Sequence, residues 1–124
     1  MKKTILLLTL FFAFTSCNET TVWKPQLIAY YAGDEKSIDT FDLNGVDQII
    51  YSFLHLKGNE LAIDNKADSL TLVNLINQKK KYPDLKVLVS LGGWGGCESC
   101  SEVFSTKQGR IDFAISTAKI INTF

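Results

Sequence analysis

Thirteen Lys and Arg balance thirteen Asp and Glu in a chain of 124 residues, for a formal net charge of zero. That excludes the basic electrostatic footprint of a nucleic-acid-binding protein. At 46% hydrophobic and 21% charged residues the composition is that of a globular domain, not of a disordered tract.

Met1-Lys2-Lys3 is a short basic segment, and Ile5 to Phe14 is an apolar run interrupted only by Thr9. The run is too short for a membrane span and has the layout of an export signal. Thr15-Ser16-Cys17 follows at once, with Phe14 where such signals usually carry Leu. The arrangement resembles a bacterial lipoprotein signal, in which Cys17 becomes the lipidated first residue. It implies a signal over residues 1–17, a polar tether over 18–25, and a fold that starts at residue 26. The expected location is the bacterial cell envelope or the medium, with a membrane partner reached through Cys17.

Gln26 to Tyr31 reads as a first strand, broken at Ala32-Gly33-Asp34. Ser37 to Leu43 reads as a short helix and Asn44-Gly45 as a turn. Val46 to Leu54 is a stronger second strand. Lys57-Gly58-Asn59-Glu60 turns the chain, and Leu61-Ala62-Ile63 forms a hairpin arm. Asp68 is the expected N-cap of a helix to about Lys81, with Leu72, Val73 and Ile76 on its apolar face beside Leu75. Lys79-Lys80-Lys81 stands at the end of that helix, where cations complement the dipole. Tyr82-Pro83-Asp84 stops it.

Lys86 to Leu91 is a third strand, rich in β-branched residues, that runs into Gly92-Gly93-Trp94-Gly95-Gly96. Glycine permits positive φ and a close approach by backbone or ligand. A tryptophan on such a turn either stacks on the apolar face of a sugar or base, or plugs the end of the fold. Cys97-Glu98-Ser99-Cys100 follows. In an exported chain a local disulfide is favoured. Zinc would need four ligands, and His55 is the only other candidate. A redox pair has the right Cys-x-x-Cys spacing, but the glycine loop separates it from its strand. His55 itself reads as a rim residue without partners. Ser105 or Thr106 caps a last helix to about Thr123, with Ile111, Ala114, Ile115, Ala118 and Ile121 as its apolar stripe.

The order β-α-β-α-β-α with near-continuous apolar strands predicts an α/β fold with a parallel sheet. Ile28, Tyr30, Ile50 and Val89 are the expected inward-facing residues. The two outer strands would each present an unpaired edge, so the chain alone is expected to fold poorly.

Ser90-Leu91-Gly92-Gly93-Trp94 resembles the Ser-x-Gly-Gly signature on the third strand of family 18 glycoside hydrolases, the chitinases and their relatives. Ala29-Tyr30-Tyr31 and Ile50-Tyr51-Ser52-Phe53 are similar to that family's first and second strands, in the same order. The resemblance runs from about Gln26 to the end of the chain. It implies the first three β/α units of a (β/α)₈ TIM barrel, incomplete in this chain because such a barrel takes about 250 residues. It also implies a site at the C-terminal ends of the strands.

By the same resemblance the substrate is chitin or another oligosaccharide containing N-acetylglucosamine, and the mechanism is retaining and substrate-assisted. The 2-acetamido carbonyl attacks the anomeric carbon while a glutamic acid protonates the leaving oxygen. That glutamate ends an Asp-x-x-Asp-x-Asp-x-Glu motif, which the 124 residues do not contain. The chain is therefore read as a fragment without a catalytic residue of its own. Tyr30 and Ser90 match positions whose hydroxyls support the first carboxylate of the motif. Phe53, Gly92, Gly93 and Trp94 match positions that line the sugar site. No metal and no organic cofactor is implied. A sugar-binding lectin, an endo-β-N-acetylglucosaminidase and a small non-catalytic surface lipoprotein are the alternatives.

Overall fold

The computed structural model describes residues 24–93 and 96–124. The elements are β1 (Ile28–Tyr31), a 3₁₀ turn (Ser37–Thr40), β2 (Gln48–Lys57), β3 (Glu60–Ala62), α1 (Lys66–Gln78), β4 (Lys86–Leu91), α2 (Cys100–Ser105) and α3 (Lys107–Thr123). β2 is central. It pairs in parallel with β1 on one side and with β4 on the other, and its far end folds back antiparallel onto β3. In register, Tyr30 lies beside Ile50 and Ile50 beside Leu88; Tyr31 lies beside Tyr51 and Tyr51 beside Val89.

Strand alternation then sorts the side chains onto two faces. Tyr31, Ile49, Tyr51, Val87 and Val89 face the helical layer, where they meet Leu72 and Leu75 of α1 and the buried Ile38, Tyr82 and Leu85. Tyr30, Ile50 and Leu88 lie on the opposite face. Among the described residues no layer covers that face: Ile28 is 47% exposed and Leu88 40%. Val89 therefore points to the helices and not inward. The parallel register with Tyr51 fixes that, and Leu88 takes the place expected of Val89.

The cap of α1 is Asn65, three residues before the expected Asp68. Asn65, in extended conformation, accepts the Asp68 N–H through its side chain at 3.1 Å and returns its Nδ2 to the Asp68 carboxylate at 2.9 Å. Asp68 is thus the third helical residue, and its carboxylate also accepts from Tyr51 Oη at 3.1 Å. Burial falls on Thr71, Leu72 and Leu75, while Val73 stays exposed. The helix ends at Gln78. Lys79, Lys80 and Lys81 continue it only as tight i→i−3 turns that lead Tyr82 into the core.

The segment after the glycine loop contains α2, a helix absent from the sequence reading. Thr106 ends α2 and caps α3 by accepting the Gly109 N–H at 2.9 Å. Phe104 meets Phe113 edge-to-face with ring centroids 5.0 Å apart. Gly109 is buried so close to the Val103 carbonyl that a Cβ there would collide with it.

α3 turns a different face inward from the expected one. Ile115 is 65% exposed and Ile121 64%, while Phe113, Ser116 and Ile120 point to the fold. The reason is tertiary. Ser116 Oγ accepts the buried Leu61 N–H at 2.9 Å, and Asp112 accepts from Asn59 at 3.0 Å. Two polar contacts to the β2–β3 hairpin thus set the rotation of α3, since a buried backbone donor must be paired.

Candidate functional site

Parallel strands end on one side of a sheet, so β1, β2 and β4 bring Tyr30, the Ser52–His55 segment and the Ser90–Gly93 segment together. β2 and β4 do not stay in step there. Tyr51 pairs with Val89, yet the next pair is Leu54 with Leu91, so β2 carries one extra residue. This is a β-bulge, which bends a strand and re-aims a side chain. Leu54 returns to the core face with 1% exposure, and Phe53 turns out on the opposite side at 43%.

Phe53 meets the glycine turn. Gly93 has φ +146°, and a Cβ built on it would fall among the ring atoms of Phe53. Gly92 has φ +72° and donates its N–H to the Leu54 carbonyl at 2.8 Å, which ties the start of the turn to β2. Gly96 donates its N–H to the Gly93 carbonyl at 3.1 Å. Cys97 and Cys100 are joined by a disulfide with Cα atoms 5.3 Å apart. The Cβ of Cys97 lies 3.2 Å from where a Cβ of Gly92 would stand.

Tyr30 is 71% exposed on β1, on the face that also carries Ile50 and Leu88. Ser90 is half-buried on that face and donates Oγ to the Tyr51 carbonyl at 3.4 Å. The structure thus brings Tyr30, Phe53, Ser90, Gly92 and Gly93 to one end of the sheet. Trp94 and Cys17 lie outside the described residues.

An open cavity of about 350 Å³ adjoins Phe53 at the ends of β1 and β2, lined among others by Gly33, Ser52, His55, Asp64 and Asp68. Ser52 is buried, and its Oγ has no hydrogen-bond partner among the described residues. Beneath it, burial pushes the Tyr51 hydroxyl up to a pKa of about 12, aided by its bond to Asp68. A second cavity, about 310 Å³ and lined by Leu72, Val87, Ile120 and Phe124, lies between α1, β4 and α3.

Sequence reasoning missed Asp64. Its carboxylate is bonded to His55 Nδ1, so the histidine read as partnerless has a partner. The signal was present in the turn. A two-residue Gly58-Asn59 loop pairs Lys57 with Glu60 and His55 with Ala62, which places residue 64 diagonally across from 55. What the strand ends offer together is recognition: an aromatic ring, hydroxyls and a backbone thinned by glycine. Such a surface suits a ligand with both C–H faces and hydroxyl groups.

The profile of the family described as "Glycosyl hydrolases family 18" matches residues 26–124. Among solved structures, a family 18 N-acetylglucosaminidase from Paenibacillus barengoltzii is 25% identical, with a TM-score of 0.66 over 81% of this chain and 29% of that one. Chitinase ChiW from Paenibacillus sp. str. FPU-7 is 24% identical, with a TM-score of 0.72 over 80% of this chain and 14% of that one. Human YKL-39, a pseudo-chitinase with retained chitooligosaccharide binding properties, is 21% identical, with a TM-score of 0.65 over 81% and 30%. This chain therefore spans less than a third of the length of each. The parallel β1–β2–β4 sheet is what the TIM-barrel fold of such proteins calls for. On a profile match covering nearly all the described residues, the chain belongs to family 18 of the glycosyl hydrolases.

Proposed function

We propose that this chain forms the first three β/α units of a (β/α)₈ barrel. In that role it supplies part of the sugar-binding floor of a chitinase-like hydrolase acting on β-1,4-linked N-acetylglucosamine. The observation that carries the reading is the convergence of Tyr30, Phe53, Ser90 and Gly93 on one end of the sheet. The Phe53 ring offers an apolar platform for a pyranose C–H face, and Tyr30 and Ser90 offer hydroxyls. In the family mechanism those hydroxyls support the first carboxylate of the strand-four motif, because hydrogen bonds to a carboxylate hold it ionised.

The proton donor is the glutamate of that motif, which the 124 residues lack. General acid catalysis is typically worth about 10²–10⁴ in rate, so the 124-residue chain is expected to leave a chromogenic chitobioside intact. Turnover by that chain, abolished by a substitution within it, would overturn the reading. The protein purified as its own gene encodes it is expected to bind chitotetraose, and Phe53→Ala to weaken that binding. Binding without hydrolysis by that protein would leave a chitinase-like lectin. A preference for N-glycans over chitotetraose would point to an endo-β-N-acetylglucosaminidase.

The proposal also has the chain exported through residues 1–17 and anchored in the bacterial envelope by a lipid on Cys17. The support is the basic, apolar, cysteine order of the N-terminal sequence.

A further inference from the structure

The described glycines after β4 rest on β2 at two points. One is Phe53 against Gly93. The other is His55, two residues along the same strand, whose Nε2 lies 3.2 Å from where a Cβ on Gly96 would stand. Any side chain at 96 would have to move the imidazole or the Gly93 backbone nitrogen, which is equally close.

The imidazole is itself held. Its Nδ1 is bonded to the Asp64 carboxylate. The Asp64 backbone carbonyl accepts from Lys57 Nζ at 3.2 Å, and the next residue is Asn65, the cap of α1. Contacts therefore run from the start of α1 through Asp64 and His55 to Gly96, and by the Gly96 N–H to the Gly93 carbonyl. A carboxylate on one ring nitrogen fixes the orientation of the ring, as supporting partners do for histidines in metal and catalytic sites.

We infer that His55, held by Asp64, is a positioning residue. It seats Gly93 and Gly96 on β2, and the affinity for an N-acetylglucosamine oligosaccharide depends on that seating. The inference rests on the sugar-binding reading, and it adds to the floor residues a strut that acts through the backbone of Gly93 and Gly96. It also gives two of the glycines separate reasons: Gly93 admits the ring of Phe53, and Gly96 admits the ring of His55.

The experiment uses the protein as its own gene encodes it, with ¹⁵N-glycine labelling. It records the amide resonances of Gly92, Gly93 and Gly96 in the free state and chitotetraose affinity by calorimetry. Asp64→Asn and His55→Ala are expected to shift these resonances and weaken binding about tenfold, the scale of one well-made polar contact. Gly96→Ala is expected to weaken binding as well, and its effect should be smaller in a His55→Ala background. Such non-additivity is the signature of two groups in contact.

Unshifted glycine resonances in both His55→Ala and Asp64→Asn would overturn the inference. So would strictly additive effects of Gly96→Ala and His55→Ala. Weakening by Phe53→Ala alone would leave the sugar site standing and remove the strut. If the wild-type protein binds no chitotetraose, the sugar reading falls, and the dependence of affinity falls with it. The glycine resonances would then still decide whether His55 seats Gly93 and Gly96.

Discussion

The ring of Phe53 occupies the space that a side chain on Gly93 would need. One residue is on β2 and the other is 40 positions later, just beyond β4. The bulge that carries Phe53 out of the core and the positive φ of Gly93 are two halves of one fit. A longer side chain at 93 meets a backbone penalty and a steric one together.

Gly93→Ala is therefore expected to destabilise the protein more than a surface substitution would. The backbone contributes about 1–3 kcal/mol and the overlap with Phe53 about 1–3 kcal/mol. Phe53→Ala in the same chain should return only the steric part. Thermal unfolding of the two single variants and the double variant separates the contributions.

Tyr51→Phe deletes the hydrogen bond to Asp68 and is expected to cost about 1 kcal/mol at neutral pH. The alkaline limb should change as well. The Tyr51 pKa of about 12 in the fold lies above its ordinary value of 10.0, so folding favours the protonated phenol. That contribution is full below about pH 10 and is lost as pH rises through about 12. Urea midpoints between pH 8 and pH 12 should fall less steeply for Tyr51→Phe than for the wild type.

Ser116→Ala leaves the buried Leu61 N–H without its acceptor. An unsatisfied buried donor costs about 1–3 kcal/mol, so this one-atom deletion in α3 should loosen the β2–β3 hairpin. Hydrogen exchange at Leu61 is the direct readout, and Ser116→Thr, which retains a hydroxyl, should protect that amide better than Ser116→Ala.

Asn65→Ala removes the cap of α1 and is expected to cost about 0.5–2 kcal/mol. It also frees the Asp68 carboxylate from one of its two side-chain partners. Asn65→Ser, which restores an acceptor for the Asp68 N–H, should recover most of the loss in a denaturant titration.

Cys17→Ser should move the protein from the membrane fraction to the soluble fraction of a bacterial host, and mass spectrometry should find the lipid only on the wild type. Unchanged membrane association would leave an ordinary cleaved signal as the better account.

The order of strands, their parallel pairing and the positive φ of Gly92 and Gly93 were legible in the sequence, because a buried parallel strand needs a continuous apolar run and a left-handed backbone favours glycine. The resemblance carried by Ala29-Tyr30-Tyr31, Ile50-Tyr51-Ser52-Phe53 and Ser90-Leu91-Gly92-Gly93-Trp94 led to the family. The rotation of α3 was not legible. Its isoleucines form a clean helical stripe, but periodicity reports only that a face is apolar. The Leu61 N–H and Asn59, more than 50 residues away, decided which face turned inward. The same holds for Val89 and for Asp64. The first was placed by register against a neighbouring strand, the second by a hairpin that swings a carboxylate under His55. Local pattern fixes what a segment becomes. Which side chains meet is set by the pairing of backbone donors and by the space that distant side chains leave, and both exist only once the chain has folded.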